Sequence, residues 1–393
     1  MTTSSSRFVL NLSLILVIAL SWTLLRQKEQ ATLPVVDGFS ASSGRRSSGA
    51  MARKKKATGF GLEQPKQTHQ QAKDSRAKLS SNGIYSKPSL YDLAFGYRNF
   101  EEEISFLLHT HQIHTHSHLL PTNVLELAAG PARHCLTALT WNGSPSIVHA
   151  TAIDISDEMK LYALDLARSC YQQQRTNDRP PFLILNDGTD SGGLAMGEEA
   201  SSATFQYIVQ DMRSLQLPSQ SFDSAWILLG SMQHLLTNSD VIQCFRSLHN
   251  VLSPDGTIII ELPHPQETFT IVECTQNTWK VPLDVSDGST RTLKVQWGGE
   301  NDAFDPVRQV RNMTVKLELV SSDSKTDETS TCVSQVVPTR LFTAQEMYAL
   351  AYCSGFEVAA MYGALDTDVS VNDYETEQAY RMVCVLRKMQ TAE

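Results

Sequence analysis

From Tyr91 to Lys388, short apolar runs alternate with stretches in which apolar residues recur every three or four positions. The first kind of pattern marks buried strands and the second amphipathic helices. Strands are expected at Val124–Leu127, Ile147–Ile155, Phe205–Met212, Phe222 onward, Thr257–Leu262 and Arg381–Lys388. Between them lie helical patterns at Pro131 to Thr140, Met159–Gln172 and DVIQCFRSLHNVL, with Ser253–Gly256 as a turn. FTAQEMYALAYCSGFEV reads as a capped helix followed by another strand. Residues 89–118 read as one amphipathic helix, with Tyr91, Leu93, Ala94, Tyr97, Phe100 and Ile104 on its apolar face and Glu101–Glu103 opposite. Strands that alternate with helices pair in parallel, because each helix returns the chain to the same edge of the sheet.

Two stretches break this alternation. Residues 173–204 are dense in turn signals such as Asn-Asp-Gly and Ser-Gly-Gly, with FLIL (Phe182–Leu185) as a short extra strand. Residues 266–340 carry β-branched residues at alternating positions in RTLKVQW, VRNMTVKLEL and TCVSQVVPTRLF, which predicts an antiparallel insertion. Between two of those strands lies GGENDAFDP, whose Glu300, Asp302 and Asp305 either close a solvated turn or face an amine substrate.

Residues 1–80 have a different composition. Phe8–Leu25 is 18 residues without a charge, a helix of about 27 Å at the short end for a bilayer. Residues 30–80 are rich in Ser, Gly, Gln, Lys and Arg and are expected to be disordered. The segment reads either as a signal core with a basic presequence, similar to the bipartite presequences of algae with secondary plastids, or as a membrane anchor with a basic stalk. The body would then begin near residue 81. It would lie in an organelle such as a plastid, or on the cytosolic side of a membrane held through residues 8–25.

The net charge of −9 hides an asymmetry: the first 80 residues hold 13 basic and four acidic residues, the remainder 20 basic and 38 acidic. An acidic body argues against nucleic acid as substrate, since phosphate needs a basic face. Seven scattered cysteines, without a C-x-x-C pair, form neither a zinc signature nor a disulfide framework, and no metal site is expected. The histidines at 109, 111, 114, 116 and 118 fix no metal geometry and read as a solvated helix end or loop.

The chemistry concentrates at VLELAAGPARH, Val124–His134. A strand runs into a tight turn of small residues and then into a helix N-terminus, where a ligand's anionic group can approach the backbone. Glu126 is costly near the end of a buried strand unless something pairs with it, and a cationic ligand would do so. A dinucleotide-binding turn would need G-x-G-x-x-G, which is absent. Asp154 ends the second strand, where a carboxylate either accepts ribose hydroxyls or caps the next helix, although Ser156 and Asp157 are better placed to cap.

Glu126-Leu-Ala128-Ala-Gly130-Pro-Ala132 resembles motif I of class I S-adenosylmethionine-dependent methyltransferases, with alanine at two of the three glycine positions. Asp211-Met212 at the end of the third strand, and the phrases F-D-S-A and L-S-P-D-G-T, strengthen the resemblance. It implies a Rossmann-like, seven-stranded, mostly parallel sheet with an antiparallel terminal strand, and S-adenosylmethionine as cofactor. By the same resemblance Glu126, Ala128 and Gly130 contact the cofactor, Asp154 and Ile155 hold its ribose, and Asp211 and Met212 its adenine. Tyr91, Phe95 and Arg98 would reach it from an N-terminal helix that closes over the site. The [ND]-P-P-[YF] motif of enzymes that methylate amino bases is absent after the fourth strand, so the resemblance implies a small-molecule acceptor. A membrane-tethered protein methyltransferase and a non-catalytic scaffold are the other readings. A sulfonium leaving group needs no protonation, and a base helps only where the acceptor starts protonated; His234 and His264 are the candidates.

Overall fold

The computed structural model describes residues 83–144, 146–174, 182–185, 203–266, 277–284, 290–321, 331–376 and 378–389. Phe8–Leu25 and the basic segment after it lie outside these residues, as does most of the insertion at 173–204. In chain order the elements are α1 (Pro88–Phe95), α2 (Phe100–His114), β1 (Asn123–Leu127), α3 (Arg133–Thr140), β2 (His149–Asp154), α4 (Asp157–Gln174), β3 (Leu183–Leu185) and β4 (Thr204–Val209). They continue with β5 (Phe222–Ile227), α5 (Asn238–Val251), β6 (Leu252–Pro263), β7 (Asn277–Asp284), β8 (Thr290–Trp297), β9 (Phe304–Asp305), β10 (Val310–Ser321) and β11 (Thr331–Arg340). The last are α6 (Ala344–Tyr352), β12 (Phe356–Ala364), β13 (Asp366–Ser370) and β14 (Arg381–Lys388).

The main sheet has the order β13-β12-β14-β6-β5-β1-β2-β4-β3. From β3 to β6 the strands pair in parallel, and β14 runs antiparallel between β6 and β12. Within it lies the expected seven-stranded arrangement. The observed sheet has nine strands because β3, the FLIL segment, extends one edge and β13 the other. Side chains alternate between the faces. Val124, Phe205, Trp226 and Ile259 meet α2, α3 and α4, whereas Leu125, Ile227, Ile258 and Ile260 meet α5 and α6. The Ser253–Gly256 turn appears as an irregularity inside β6: Phe222 pairs with Leu252 but Ser224 with Thr257. Thr343 and Glu346 form the capping box that starts α6.

The insertion forms a separate antiparallel sheet, β11-β10-β8-β7, with β9 on β10. Its inner face, including Leu293, Val295, Val315 and Leu317, buries Ile84, Leu90 and Ala94. The expected single helix over 89–118 is two helices. The chain leaves α1 at Gly96, and Asn99 restarts it as α2, its side chain accepting from the Glu102 N–H. The break lets α1 pack on the inserted sheet while α2 packs on the main one. The buried carboxylate of Asp92 on α1 accepts from Arg133 and from the Tyr162 hydroxyl at 2.8 Å, and the Trp279 indole donates to Ala94 O at 3.0 Å. Thus α1 is pinned on one side to α3 and α4 and on the other to β7.

The histidine tract is more structured than its composition suggests. His111 is buried, with Nδ1 2.8 Å from Thr257 Oγ1, and His114 Nε2 lies 2.7 Å from the Tyr362 hydroxyl. Burial pushes the His111 pKa down to about 4. Its ring therefore serves the core as a neutral polar group.

Candidate active site

In an open α/β sheet a ligand site forms beyond the carboxyl ends of the strands. Here a cavity of about 630 Å³ occupies that place, and α1 and the inserted sheet form its far wall. The floor starts at the turn after β1. Three alternate residues, Ala128, Gly130 and Ala132, have φ of +50°, +51° and +56°. Glycine takes this conformation freely, but an L-residue pays about 1–2 kcal/mol for it. The strained alanines occupy the two positions where the motif has glycine. Network bonds hold them: the Gly130 N–H donates to Asp154 Oδ2 at 2.9 Å, the Tyr207 hydroxyl donates to Gly130 O at 2.8 Å, and the Ala129 N–H donates to Ile153 O at 2.9 Å. A Cβ on Gly130 would have only Tyr91 and Met159 near it, at 3.8 and 3.9 Å, so the bare backbone there borders cavity space.

Asp154 lines the cavity, and its other oxygen accepts from the Ser156 N–H at 2.9 Å. Ser156 Oγ caps α4 through the Met159 N–H, so the capping alternative for Asp154 falls away. Burial raises the Asp154 pKa, against the backbone N–H groups of Gly130 and Ser156 that favour its charge. Ile155, Asp211, Met212, Tyr91 and Phe95 also line the cavity, as do Ala128 and Gly130. The strand before Asp211 ends earlier than expected, at Val209, and Asp211 sits in the following turn. Its carboxylate is paired with Arg213, whose guanidinium also reaches Asp240 at 2.8 Å.

Two of the expected cofactor contacts are not on the cavity wall. Glu126 is buried behind the turn, and its partner belongs to the protein: Oε1 lies 3.1 Å from His134 Nδ1, and Oε2 accepts from the Cys135 N–H at 3.0 Å. Arg98 forks onto Glu261 with bonds of 3.1 and 3.0 Å and reaches Glu103 at 2.6 Å. Since Glu103 Oε2 is also 2.7 Å from His134 Nε2, and Arg381 Nε is 3.1 Å from Glu261 Oε1, a buried line of alternating charge runs Glu126–His134–Glu103–Arg98–Glu261–Arg381. Burial alone would lower the His134 pKa, but hydrogen bonds to Glu103 and Glu126 overcome it and raise the value to about 9. Where the sequence suggests a cationic ligand beside Glu126, the structure places His134 and the Cys135 N–H on its two oxygens. Glu261 is a residue the sequence reading missed; a lone carboxylate in TIIIELP, inside an otherwise apolar strand, was the available signal. Its oxygens also hold the loop after β5, where Leu229 (φ +55°) donates to Oε2 at 2.9 Å and Gly230 (φ +70°) donates to the main-chain carbonyl at 3.1 Å.

The two candidate bases separate. His234 lies on the cavity wall with Nε2 3.0 Å from the Tyr85 hydroxyl. Its side chain is exposed at the cavity, and desolvation by the surrounding protein lowers its pKa to about 4. Burial likewise pushes the Tyr85 phenol up, so the pair is a neutral imidazole beside a neutral phenol. His264 is not at the cavity. Its Nε2 donates to Val371 O at 2.8 Å and its Nδ1 accepts from the Gln266 N–H at 3.2 Å, which uses both ring nitrogens. In the GGENDAFDP loop, Asp302 accepts from the Gly299 and Thr314 N–H groups and Asp305 from those of Val307 and Arg308, so the acidic residues close a turn. Among the described residues no cluster of His, Cys, Asp or Glu could hold a metal ion, and no helix is long and apolar enough to cross a membrane.

Known proteins agree with this architecture. Residues 125–260 match the family model of the methyltransferase domain. Over 123 residues the chain is 32% identical to the Bacillus subtilis (strain 168) protein YqeM, which is named as a methyltransferase; the match takes in 31% of this chain and 36% of that protein, so it spans about a third of the relative. Among solved structures, an S-adenosylmethionine-dependent methyltransferase from Clostridium acetobutylicum superposes with a TM-score of 0.50 at 13% identity, covering 81% of this chain and all of that one. The sugar N-methyltransferase from Streptoalloteichus sp. gives 0.50 at 15% identity, covering 79% and 95%. At such identities the likeness is one of fold. The chain has the fold of class I S-adenosylmethionine-dependent methyltransferases, and residues 125–260 match the methyltransferase domain model.

Proposed function

We propose that the protein transfers a methyl group from S-adenosylmethionine to a small-molecule acceptor. One observation carries the reading: a single cavity joins the turn Ala128–Gly130, Asp154 and Asp211 to an aromatic wall built by α1 and the inserted sheet. The floor suits the cofactor. Bare backbone at Gly130 admits close approach, and the carboxylates of Asp154 and Asp211 can accept from ribose hydroxyls and an exocyclic amine. Tyr91 and Phe95, with ring centroids 4.8 Å apart, offer π-faces to a sulfonium cation. When bound, S-adenosylmethionine supplies an electrophilic methyl group. The residues of the chain orient the reactants and exclude water, and in such a displacement positioning provides most of the rate. Neutral His234, oriented by Tyr85, can receive a proton from the acceptor.

Cavity size favours a small acceptor over a protein segment, since about 630 Å³ falls within the range of ordinary ligand pockets. The test is a thermal-shift titration followed by a metabolite-pool screen with a labelled methyl donor. S-adenosylmethionine should raise stability by about 2.7 kcal/mol at a hundredfold excess over Kd, and label should pass to a low-mass product. No shift at any concentration would exclude the enzyme reading, and label found only on protein would exclude the small-molecule acceptor. We further propose that the body works in a reducing space. Six described cysteines are free thiols, and Cys135, Cys244 and Cys384 among them are buried.

A further inference from the structure

The two ends of the cavity differ in charge. Its three lining carboxylates, Asp154, Asp211 and Asp240, lie beyond the strands of the main sheet, at the end assigned above to the cofactor, where Arg213 also lines the cavity and pairs with Asp211 and Asp240. A second part of its lining comes from α1, from the inserted sheet with the turn before β10, and from Arg381 at the start of β14 in the main sheet. Among the described residues it holds no carboxylate and two guanidiniums, Arg308 and Arg381. The Arg381 Nε is held by Glu261, while its terminal nitrogens make no hydrogen bond among the described residues. The guanidinium of Arg308 has no protein partner among them either; only its backbone N–H is used, on Asp305. The acidic loop 298–306 contributes nothing to this wall, since Asp302 and Asp305 are spent on turn N–H groups.

The same part of the lining is flat and aromatic. Phe95 packs edge-on between Trp279 and Trp297, with centroids 5.8 and 5.3 Å away. The one polar atom of Trp279 is occupied by Ala94 O, so its indole offers the cavity an apolar surface. Among the described residues an ammonium group entering here would meet two guanidiniums and no lining carboxylate. A planar ring with a negative charge at its edge would meet both features it needs, a stacking surface and a guanidinium.

We propose that the acceptor is a planar aromatic molecule bearing an anionic group, its ring against Trp279 and Trp297 and its charge toward Arg308 and Arg381. This rests on the methyl-transfer reading of the same cavity.

The test is calorimetry on the full chain saturated with S-adenosylhomocysteine, using three probes: 2-naphthoate, 2-naphthylmethylamine and glucosamine. Naphthoate should bind, the amine should bind about tenfold more weakly or worse, and glucosamine should give no heat. Arg308→Gln should weaken naphthoate by about fivefold and leave the affinity for S-adenosylmethionine as it is. Arg381→Lys, which keeps a charge for Glu261, should weaken naphthoate to a lesser degree. Added salt should weaken naphthoate in the parent chain. Failure of naphthoate to bind, equal binding of the amine or the amino sugar, or indifference to both arginine substitutions would overturn the proposal. S-adenosylmethionine is titrated separately into the parent chain. Absence of heat there would count against the methyl-transfer reading, while the ranking of the three probes would still decide the charge preference of the cavity.

Discussion

Nε2 of His134 lies 2.7 Å from a carboxylate oxygen of Glu103, a pair 31 residues apart in sequence. The contact ties α2, which packs over the main sheet, to the helix that follows the strained turn. With Glu126 on its other nitrogen, His134 is held as an imidazolium with a pKa raised to about 9.

The pH dependence of stability follows. A histidine whose folded pKa exceeds its unfolded 6.5 contributes stability that is fully present below about pH 6.5 and is lost as pH rises through about 9. The shift corresponds to something on the order of 3 kcal/mol. His111 acts in the opposite sense: held near 4 by burial, its contribution is present above 6.5 and is lost as pH falls toward 4. Urea midpoints measured from pH 4 to 10 should therefore trace a dome with its top near neutrality. His134→Gln should lower the top and flatten the alkaline arm; a flat alkaline arm in the parent protein would refute the assigned charge.

Strain in the turn can be released. Ala128 holds φ at +50°, and Ala128→Gly should stabilise the protein by about 1 kcal/mol. Thermal unfolding would show this as a small rise in Tm. A fall in Tm would mean that the methyl group packs usefully enough to outweigh the strain.

Cofactor affinity should depend on the two cavity carboxylates. Asp154→Ala and Asp211→Ala should each weaken S-adenosylmethionine by about 1–3 kcal/mol, the worth of a hydrogen bond to a charged group. NAD should give no binding signal. Unchanged affinity in both variants by calorimetry would remove the assignment.

The two histidines should part company in turnover. His234→Ala should lower kcat by about 10²-fold with cofactor affinity retained, whereas His264→Ala, away from the cavity, should alter stability more than kcat. Because His234 has a pKa near 4, it is in the base form throughout the neutral range, and kcat/KM should stay level from about pH 6 to 8 as far as this group is concerned. Equal loss in the two variants would contradict the placement.

The proposed compartment has a direct check. The sequons at Asn142 and Asn312 both carry exposed asparagines, so a body held in the secretory lumen would present both for glycosylation. Protein from native cells should show no mobility shift on endoglycosidase treatment. A shift of one or two glycans would place the body in the lumen.

The parallel core and most of the cavity floor are legible in the local pattern of the chain. Strands such as Val124–Leu127 and helices such as Asn238–Val251 are local periodic patterns, and the turn Ala128–Gly130, Asp154 and Asp211 follow from position relative to strand ends. Three of the inserted strands, β8, β10 and β11, were equally legible, because alternation is a property of neighbours in the chain, whereas β7 was not read from the sequence. Which polar residues face the cavity and which face one another is settled by tertiary packing. Glu126 reads in sequence as a buried charge awaiting a ligand and Arg98, by resemblance, as a cofactor contact, yet His134 and Glu261 satisfy them, from eight and 163 residues away. His264 and His234 occupy similar loop positions, and the carbonyl of Val371, 107 residues on, claims His264. Pairing of this kind depends on distances set when distant segments pack, and a one-dimensional pattern does not carry those distances. The aromatic part of the cavity wall likewise exists because α1 and the inserted sheet fold onto each other.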